Sequence, residues 1–217
     1  MDTQMIASTA ATEEILRRFE GQCRTSTDIN EHLPTLRDLA SQCTSVVEMG
    51  VRGIISTYAL LAGLLPNASP SGPRPSLMCV DIEPIDMAEV KNLADAAGID
   101  LEFVMHDSAT VDMPKTDMLW IDTFHVYGHL KRELEAHHAK VGMYIAMHDT
   151  EVDGINGEAL RQNMDMEAIA DKFGYTQEDI RHGLRRAIDE FLVAHGDEWV
   201  MVAHYPNNNG LTVLKRK

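Results

Sequence analysis

The sequence predicts an α/β protein built on a doubly wound, seven-stranded, mostly parallel sheet that ends in an antiparallel hairpin. From Ser45 onward, short apolar runs alternate with helical patterns, which is typical of β-α units and a parallel sheet. Near the end of the chain this alternation stops, and two strand-like runs are joined by PNNNG. The Asn209-Gly210 pair is a strong hairpin signal, so the last two strands are expected to be antiparallel.

Two helices are expected before the first strand. TEEILRRFEG has apolar residues on one face and reaches Gly21, where a left-handed cap would end the helix. TDINEHLPTLRDLASQ repeats leucine at helical spacing, with Pro34 tolerated in the first turn. We interpret residues 1–43 as a helical cap on a core formed by residues 44–217.

The expected strands are the apolar runs SVVEM, SLMCVDI, LEFVM, DMLWID, GMYIAMHD, EWVMVAHY and GLTVLKR. Helical patterns between them are STYALLAGLL, MAEVKNLADAAG and YGHLKRELEAHH. A further amphipathic helix places Ile180, Leu184, Ile188 and Phe191 on one face. Residues 67–76 are rich in Pro, Ser and Gly and predict a loop.

The connection that follows Asp149 is longer than a β-α link usually needs. We interpret its residues, 150–176, together with the N-terminal helices, as a cover for a substrate. A chain of 217 residues is long enough for one sizeable core and too short for two large ones. Residues 1–217 are therefore expected to form a single domain.

Composition limits the partners and the compartment. A formal net charge of -15 argues against nucleic acid, which selects basic surfaces. The odd number of cysteines, without a CxxC pair, indicates reduced thiols. The first residues lack the pattern of an export signal, and no apolar run has membrane-spanning length. We expect a cytoplasmic protein that acts on a small molecule, and exposed apolar faces on the N-terminal helices would permit a homodimer.

The first strand end carries a glycine-containing turn. In a doubly wound sheet, ligands bind at the carboxyl ends of the strands near the point where strand order reverses. In VVEMGVRGIIST, Gly50 and Gly53 would let a ligand approach backbone N–H groups and the start of a helix. An ordinary tight turn between strand and helix explains the same residues equally well.

Polar residues end the next two strands as well. Asp81 in CVDIEP can accept both hydroxyls of a ribose, and Asp107 with Ser108 in VMHDSAT could bond the edge of an adenine. Each residue could instead cap a loop. The coincidence on three successive strands favours a cofactor that contains a nucleoside.

The fourth and fifth strands both end on an acid with a histidine close by. LWID places Asp122 at one strand end, with His125 three residues further on. GMYIAMHD brings His148 and Asp149 to the other. We expect these two ends to meet in space.

Together these motifs resemble a known family. EMGVRGIIST, CVDIEP, HDSA, WIDTFHVYGHLKREL, MHDT and the final NNNGLTVL look like a class I S-adenosylmethionine-dependent methyltransferase with a Rossmann-like fold. They are most similar to the metal-dependent O-methyltransferases grouped with the cephalosporin-hydroxylase-like and macrolide-sugar enzymes. The resemblance covers about residues 28–217.

The resemblance implies roles for the strand-end residues. Asp81 would hold the ribose of S-adenosylmethionine, and Asp107 with Ser108 its adenine. Asp122 would lie beside the methyl donor and contact both the cofactor and a metal. The residues implied for the methionine end lie in the first turn and are Glu48, Gly50, Arg52 and Ser56.

Family members with this layout hold a divalent cation between an acid on the fourth strand and an acid pair on the fifth. Asp122 and Asp149 match that pattern, but His148 replaces the first acid of the pair. Magnesium prefers oxygen ligands, so His148 indicates a softer ion such as manganese, or is not a ligand. A site without metal, in which these residues cap loops, is the alternative.

His125 resembles the general base of the sugar-methylating members, which carry the same Asp-x-x-His spacing. A hydroxyl is a poor nucleophile until it loses its proton, and a histidine with an ordinary pKa near 6.5 can take that proton at neutral pH. The predicted reaction is metal-assisted methylation of a hydroxyl on a sugar or another small molecule. Three alternatives remain: an NAD-dependent oxidoreductase, a non-haem iron oxygenase using His125, His148 and one of the acids as a facial triad, and an inactive cofactor-binding module.

Overall fold

The computed structural model describes residues 3–69 and 72–217. In chain order the elements are α1 (Thr3–Arg24), α2 (Leu33–Ala40), β1 (Ser45–Met49), α3 (Ile55–Leu64), a 3-10 turn (Leu65–Asn67), β2 (Ser76–Asp81), α4 (Ala88–Ala96), β3 (Asp100–Met105), β4 (Thr116–Ile121), α5 (Tyr127–His137), a 3-10 turn (His138–Lys140), β5 (Val141–His148), α6 (Glu158–Arg161), α7 (Met166–Phe173), α8 (Gln177–Arg181), α9 (Leu184–His195), β6 (Trp199–Tyr205) and β7 (Leu211–Arg216).

The strands form one sheet in the order β3-β2-β1-β4-β5-β7-β6. The pairs among β1 to β5 are parallel, whereas β7 runs antiparallel to both β5 and β6. This arrangement confirms the predicted sheet and hairpin. Strand order reverses between β1 and β4, so their carboxyl ends border the crevice in which such sheets bind ligands.

Alternate residues of each central strand enter different cores, because successive side chains of a strand point to opposite faces. In β4, Met118 and Trp120 pack with α1 to α4, whereas Leu119 and Ile121 pack with α5 and α9. Both faces of the sheet are therefore covered, which explains why its strands are continuous apolar runs.

The first helix is longer than predicted. Gly21 lies inside α1, which continues to Arg24, and an added Cβ at Gly21 would meet no other atom. Gly21 has no positive φ, so it is not the left-handed cap that the sequence indicated. The buried side chains Ile15 and Phe19 both lie before Gly21, so their packing does not determine where the helix ends.

The amphipathic helix predicted around residues 180–191 is two helices. Ile180 ends up in α8 and Leu184 opens α9, with a break at His182 and Gly183. At the break, the Gly183 N–H donates to the carbonyl of Ile155, and a Cβ there would collide with the backbone of residues 153–154. All four predicted apolar residues are nevertheless buried.

Residues 150–181, here called the cover, add three short helices over the carboxyl edge of the sheet. They carry a separate apolar cluster in which Tyr175 and Ile180 pack with Val126. The guanidinium of Arg132 on α5 donates to the carbonyls of Phe173 and Gly174. The cover is thus fastened to α5 by both apolar and polar contacts.

The predicted loop at residues 67–76 joins a 3-10 turn to β2, although residues 70 and 71 lie outside the described part. The three cysteines are free thiols. Among the helices of residues 3–69 and 72–217, none has both the length and the apolar character needed to cross a bilayer.

Candidate active site

A cavity of about 780 Å³ opens at the carboxyl ends of β1 to β4. This volume lies in the range of small-molecule sites. Residues from the α1–α2 connection and from α7 complete its walls. The sequence-predicted residues that line it are Gly50, Arg52, Ser56, Asp81, Asp107, Ser108, Asp122 and His125.

Gly50 lets two strand ends approach each other closely. Its N–H donates to the carbonyl of Val80, and its φ of 86° is in the left-handed region that side chains disfavour. A Cβ at this position would overlap the backbone carbonyl of Asp122. The glycine therefore places the β1 turn directly against the end of β4.

Replacing Gly50 with alanine should destabilise the protein, because the strained φ and the overlap with Asp122 act together. We expect a loss of at least about 1–3 kcal/mol in the free energy of unfolding and weaker cofactor binding. Urea denaturation measures the first effect, and calorimetry with S-adenosylhomocysteine the second. Gly21→Ala is the matched control, because that glycine is helical and meets no neighbour; equal stability of the two variants would contradict the assignment.

Glu48 lies beneath the cavity rather than in its wall. Its fully buried carboxylate accepts hydrogen bonds from Ser56 at 2.5 Å, Thr57 at 2.8 Å and the Cys79 thiol at 3.2 Å. Burial raises the pKa of Glu48 to about 7, although these hydrogen bonds oppose the shift. Contact with a ligand would pass through Ser56, which does line the cavity.

Glu48 should make the protein less stable as pH rises. Its folded pKa of about 7 exceeds the value of 4.5 expected when unfolded, so the folded state holds the proton more tightly. The contribution of protonated Glu48 to the free energy of unfolding is therefore complete below pH 4.5 and is lost between about pH 4.5 and 7. Across this pH range the free energy of unfolding of Glu48→Gln should rise relative to that of the wild type, by up to about 3 kcal/mol. Thermal unfolding of both proteins at several pH values checks this, and a constant difference would contradict it.

Asp81 is already engaged with the turn that precedes α3. One carboxylate oxygen accepts the N–H groups of Val51 at 2.8 Å and Arg52 at 3.1 Å, and the other accepts that of Glu83. A ribose would have to share these oxygens. Glu83 is exposed and also lines the cavity, so its carboxylate is free to take one of the hydroxyls.

The loop after β3 is tied to the cover through α5. Ser108 Oγ lies 3.0 Å from Nε2 of His129, and Nδ1 of that ring lies 2.6 Å from the hydroxyl of Tyr175. Glu133, fully buried, lies 3.3 Å from the same Nε2. Burial disfavours the charged imidazole, but Glu133 outweighs it and raises the pKa of His129. Ser108 is thus held at the cavity by a buried polar chain.

His125 sits among four carboxylates. Nε2 lies 3.1 Å from Asp122 Oδ1, and Nδ1 lies 3.0 Å from Asp149, 3.4 Å from Glu158 and 3.6 Å from Asp153. Burial opposes the charged ring, but the bonds to Asp122 and Glu158 raise the pKa of His125 well above its usual range. The surrounding carboxylates therefore favour the protonated form of His125, in contrast to the ordinary pKa that the sequence analysis assumed.

His148 meets Asp122 and Asp149 from the neighbouring strand. Its Nδ1 lies 3.4 Å from Asp122 Oδ1 and 3.6 Å from Asp149 Oδ1. Although burial disfavours its ionised form, contacts with His125 and His148 hold the pKa of Asp122 well below its usual range. The two strand ends therefore meet, as the sequence predicted.

The cluster suits a cation. Ligand atoms of Asp122, His148 and Asp149 lie within 4.8 Å of one another, and a second group combines His125, Asp149 and Asp153. Asp149 is 6 % exposed, and its Oδ1 is buried without a hydrogen-bond partner. An unsatisfied buried carboxylate oxygen is costly unless a cation or proton reaches it. The donor set therefore fits a divalent ion.

Comparison with known proteins bears on the fold. No protein-family model matches the sequence, and no curated protein matches it. Solved structures do: the cofactor-bound Rv0187 from MTB superposes with a TM-score of 0.54 at 16 % identity, covering 99 % of this chain and 90 % of that one.

The O-methyltransferase from Bacillus cereus in complex with SAH has a TM-score of 0.54 at 13 % identity, covering 96 % of this chain and 91 % of its own. The fold is that of the Rossmann-like methyltransferases. A putative caffeoyl-CoA O-methyltransferase from Staphylococcus aureus matches at 0.52 and 10 % identity, covering 94 % and 91 % of the two chains.

Within this methyltransferase fold, the structure adds candidate site residues that sequence reasoning missed. Asp153 and Glu158 come from the cover, and Asp28 from the α1–α2 connection. Asp153 is fully buried and paired with Arg161 at 2.5 Å. None of these acids follows a strand, so no local signal separates them from surface acids. Only their packing against His125 and the cavity reveals them.

Proposed function

We propose that this protein is an S-adenosylmethionine-dependent O-methyltransferase that methylates a hydroxyl of a small molecule, either a sugar or a glycosylated metabolite. The observation that carries the proposal is the cluster of Asp122, His125, His148 and Asp149 beside a cavity at the switch point of a methyltransferase fold. Two strand ends there supply acids and a histidine where a methyl donor and a hydroxyl would meet.

The cofactor is proposed to lie along the ends of β1, β2 and β3. Its methionine part would face the Gly50 turn, where Arg52 and Ser56 line the cavity. Its ribose would meet Asp81 and Glu83. The arrangement matches the cofactor's charges, since Arg52 suits a carboxylate and the acids suit hydroxyl groups.

A magnesium or manganese ion is proposed to bind Asp122, His148 and Asp149. When bound, it would lower the pKa of a neighbouring acceptor hydroxyl and, by neutralising the two carboxylates, that of His125. Oxygen and imidazole donors together accommodate either ion, with imidazole favouring the transition metal. Arg161 neutralises Asp153, so this acid need not be a ligand.

His125 is proposed to remove the proton of the acceptor hydroxyl. Its ring faces both the cavity and the acids of the cluster, and Glu158 on the cover fixes its orientation through Nδ1. The Glu158 N–H also donates to the His125 carbonyl at 2.8 Å, so backbone and side chain are held together. A proton taken from the acceptor would then be shared with these carboxylates.

The cover, together with the α1–α2 connection, is proposed to hold the acceptor. Met164 and Ile169 present apolar surface to the cavity, whereas Asp28 and Glu158 present carboxylates that accept hydrogen bonds from hydroxyls. A sugar offers both kinds of surface, since its C–H faces are apolar and its rim is polar. Single-domain organisation of residues 1–217 remains part of this proposal.

Calorimetric titration of the metal-stripped protein with S-adenosylhomocysteine tests the proposal, with NAD as the control ligand. We expect S-adenosylhomocysteine to bind and NAD not to bind, and we expect magnesium or manganese to be required for methylation in a sugar acceptor screen. Binding of NAD alone would favour an oxidoreductase. Binding of neither would refute the proposal and favour an oxygenase or an inactive module, which oxygen uptake with iron then separates.

A further inference from the structure

His148 links three parts of the chain that are far apart in sequence. The side chain is 1 % exposed and lies at the end of β5. Its Nε2 lies 3.1 Å from the carbonyl of Asp28 and 3.1 Å from the carbonyl of Asn208. Its Nδ1 faces Asp122 and Asp149 on the opposite side of the ring.

These contacts define where the ring carries its hydrogen. Carbonyl oxygens only accept hydrogen bonds, so Nε2 must be the protonated nitrogen that donates to Asp28 and Asn208. In a neutral ring the lone pair of Nδ1 then points at two carboxylate oxygens. That arrangement is repulsive unless a positive charge lies between them, either a proton or a metal ion.

The distances favour the metal ion. Nδ1 lies 3.4 Å from one carboxylate oxygen and 3.6 Å from the other. Charged N–H···O contacts are usually about 2.7–2.9 Å. In contrast, an ion held between these atoms by bonds of about 2.0–2.2 Å would leave its ligand atoms about 3–3.6 Å apart. The unpartnered Oδ1 of Asp149 is one of these two oxygens.

We infer that His148 is a nitrogen ligand that makes the site take a first-row transition-metal ion in preference to magnesium, and that its Nε2–H ties this ion to the cavity wall. The inference rests on the proposed function, whose metal site it specifies. Imidazole suits such ions, whereas magnesium demands oxygen ligands. A histidine that donates its other ring N–H to a carbonyl is the usual arrangement of a metal ligand.

The part of the cavity wall that His148 contacts consists of residues 27–32 and the hairpin loop 207–209. Asn208 holds the two together, because its side chain accepts the Glu31 N–H and donates to the Thr27 carbonyl. Asp28 and Ile29 of this wall line the cavity. Ion binding polarises the ring and strengthens the Nε2–H bonds, so it should hold the wall in place over the cavity.

Manganese(II) bound to the metal-stripped protein provides the direct test. Electron spin echo envelope modulation detects the nitrogen of a coordinated imidazole, and we expect this signal in the wild type. His148→Gln should abolish it, since the amide can reproduce the donor near Nε2 but not the ligand Nδ1. His125→Gln is the matched control and should keep the signal.

Competition between ions provides the second readout. We expect the wild type to bind manganese on the order of tenfold more tightly than magnesium. His148→Asp, which restores a third carboxylate, should reduce this preference while retaining ion binding. If circular dichroism shows that His148→Gln does not fold, His148→Asp still tests the role of the imidazole.

Hydrogen exchange follows the wall. Manganese should slow amide exchange in peptides spanning residues 27–32 and 205–210 of the wild type, and should not do so in His148→Asp. Manganese bound without nitrogen coupling, coupling lost only in His125→Gln, or no manganese binding would each overturn the inference. S-adenosylhomocysteine binding, measured on the same samples, reports separately on the proposed function.

Discussion

Replacement of His125 by alanine should lower methyl transfer by about 10²–10⁴-fold, the usual contribution of a general base. Binding of S-adenosylhomocysteine should change little, because the proposed cofactor contacts lie on β1 to β3. The measurement is transfer of the labelled methyl group from S-adenosylmethionine to an acceptor found in the sugar screen. Calorimetry on the same variant gives the cofactor affinity.

Two controls separate chemistry from stability. His195→Ala changes a histidine at the end of α9, which packs against Phe191 away from the cavity, and should leave turnover unchanged. Thermal unfolding shows whether His125→Ala still folds, since the change leaves four carboxylates without the ring that they contact. A folded variant that retains turnover would rule out His125 as the base.

Removal of divalent cations with a chelator should stop methyl transfer, and manganese should restore it. The physical reason is the excess of negative charge, since Arg161 and His125 face Asp122, Asp149, Asp153 and Glu158. Without a cation, an acceptor hydroxyl in this cluster would have a higher pKa, because the carboxylates disfavour a further negative charge. Turnover measured before and after chelation, then against added ion, checks this.

Asp122→Asn provides the matching variant. It removes one proposed ligand charge, so activity should fall and added manganese should restore less of it. Asp112→Asn is the control, because Asp112 is exposed, pairs with Lys140 and is not one of the residues that line the cavity. If the chelator does not change turnover of the wild type, a metal role is excluded. His125 and the carboxylates would then have to act without an ion.

The elements of the sheet could be predicted because each carries its own local signal. Every strand run was recognised from apolar runs bounded by turn residues, and the Asn209-Gly210 pair indicated the hairpin. Asn208 and Asn209 do adopt the positive φ values that such a turn requires. Helix ends were less predictable, since Gly21 proved to be an ordinary helical residue and Gly183 a break enforced by close packing.

The residues of the candidate site also differ in how far the sequence could predict them. Asp122, His125, His148 and Asp149 were recognisable because they follow two buried runs, and parallel strands bring their carboxyl ends to one edge. Asp153 and Glu158 were not recognisable, because acids in a long connection look like solvated residues until the chain closes over His125. Glu158 has a clear effect, because it acts with Asp122 and Asp149 to raise the pKa of His125.

The sequence by itself determined the order of elements, the sheet's parallel and antiparallel parts, and which residues stand at the strand ends. Those features follow from hydrophobic periodicity and turn chemistry, which act over a few neighbouring residues. Only the tertiary structure decided which groups face one another across the cavity. It brought the carbonyls of Asp28 and Asn208 to one nitrogen of His148 and two carboxylates to the other. The contacts with Asp28 and Asn208 join residues that are 120 and 60 positions apart, and no local pattern encodes them.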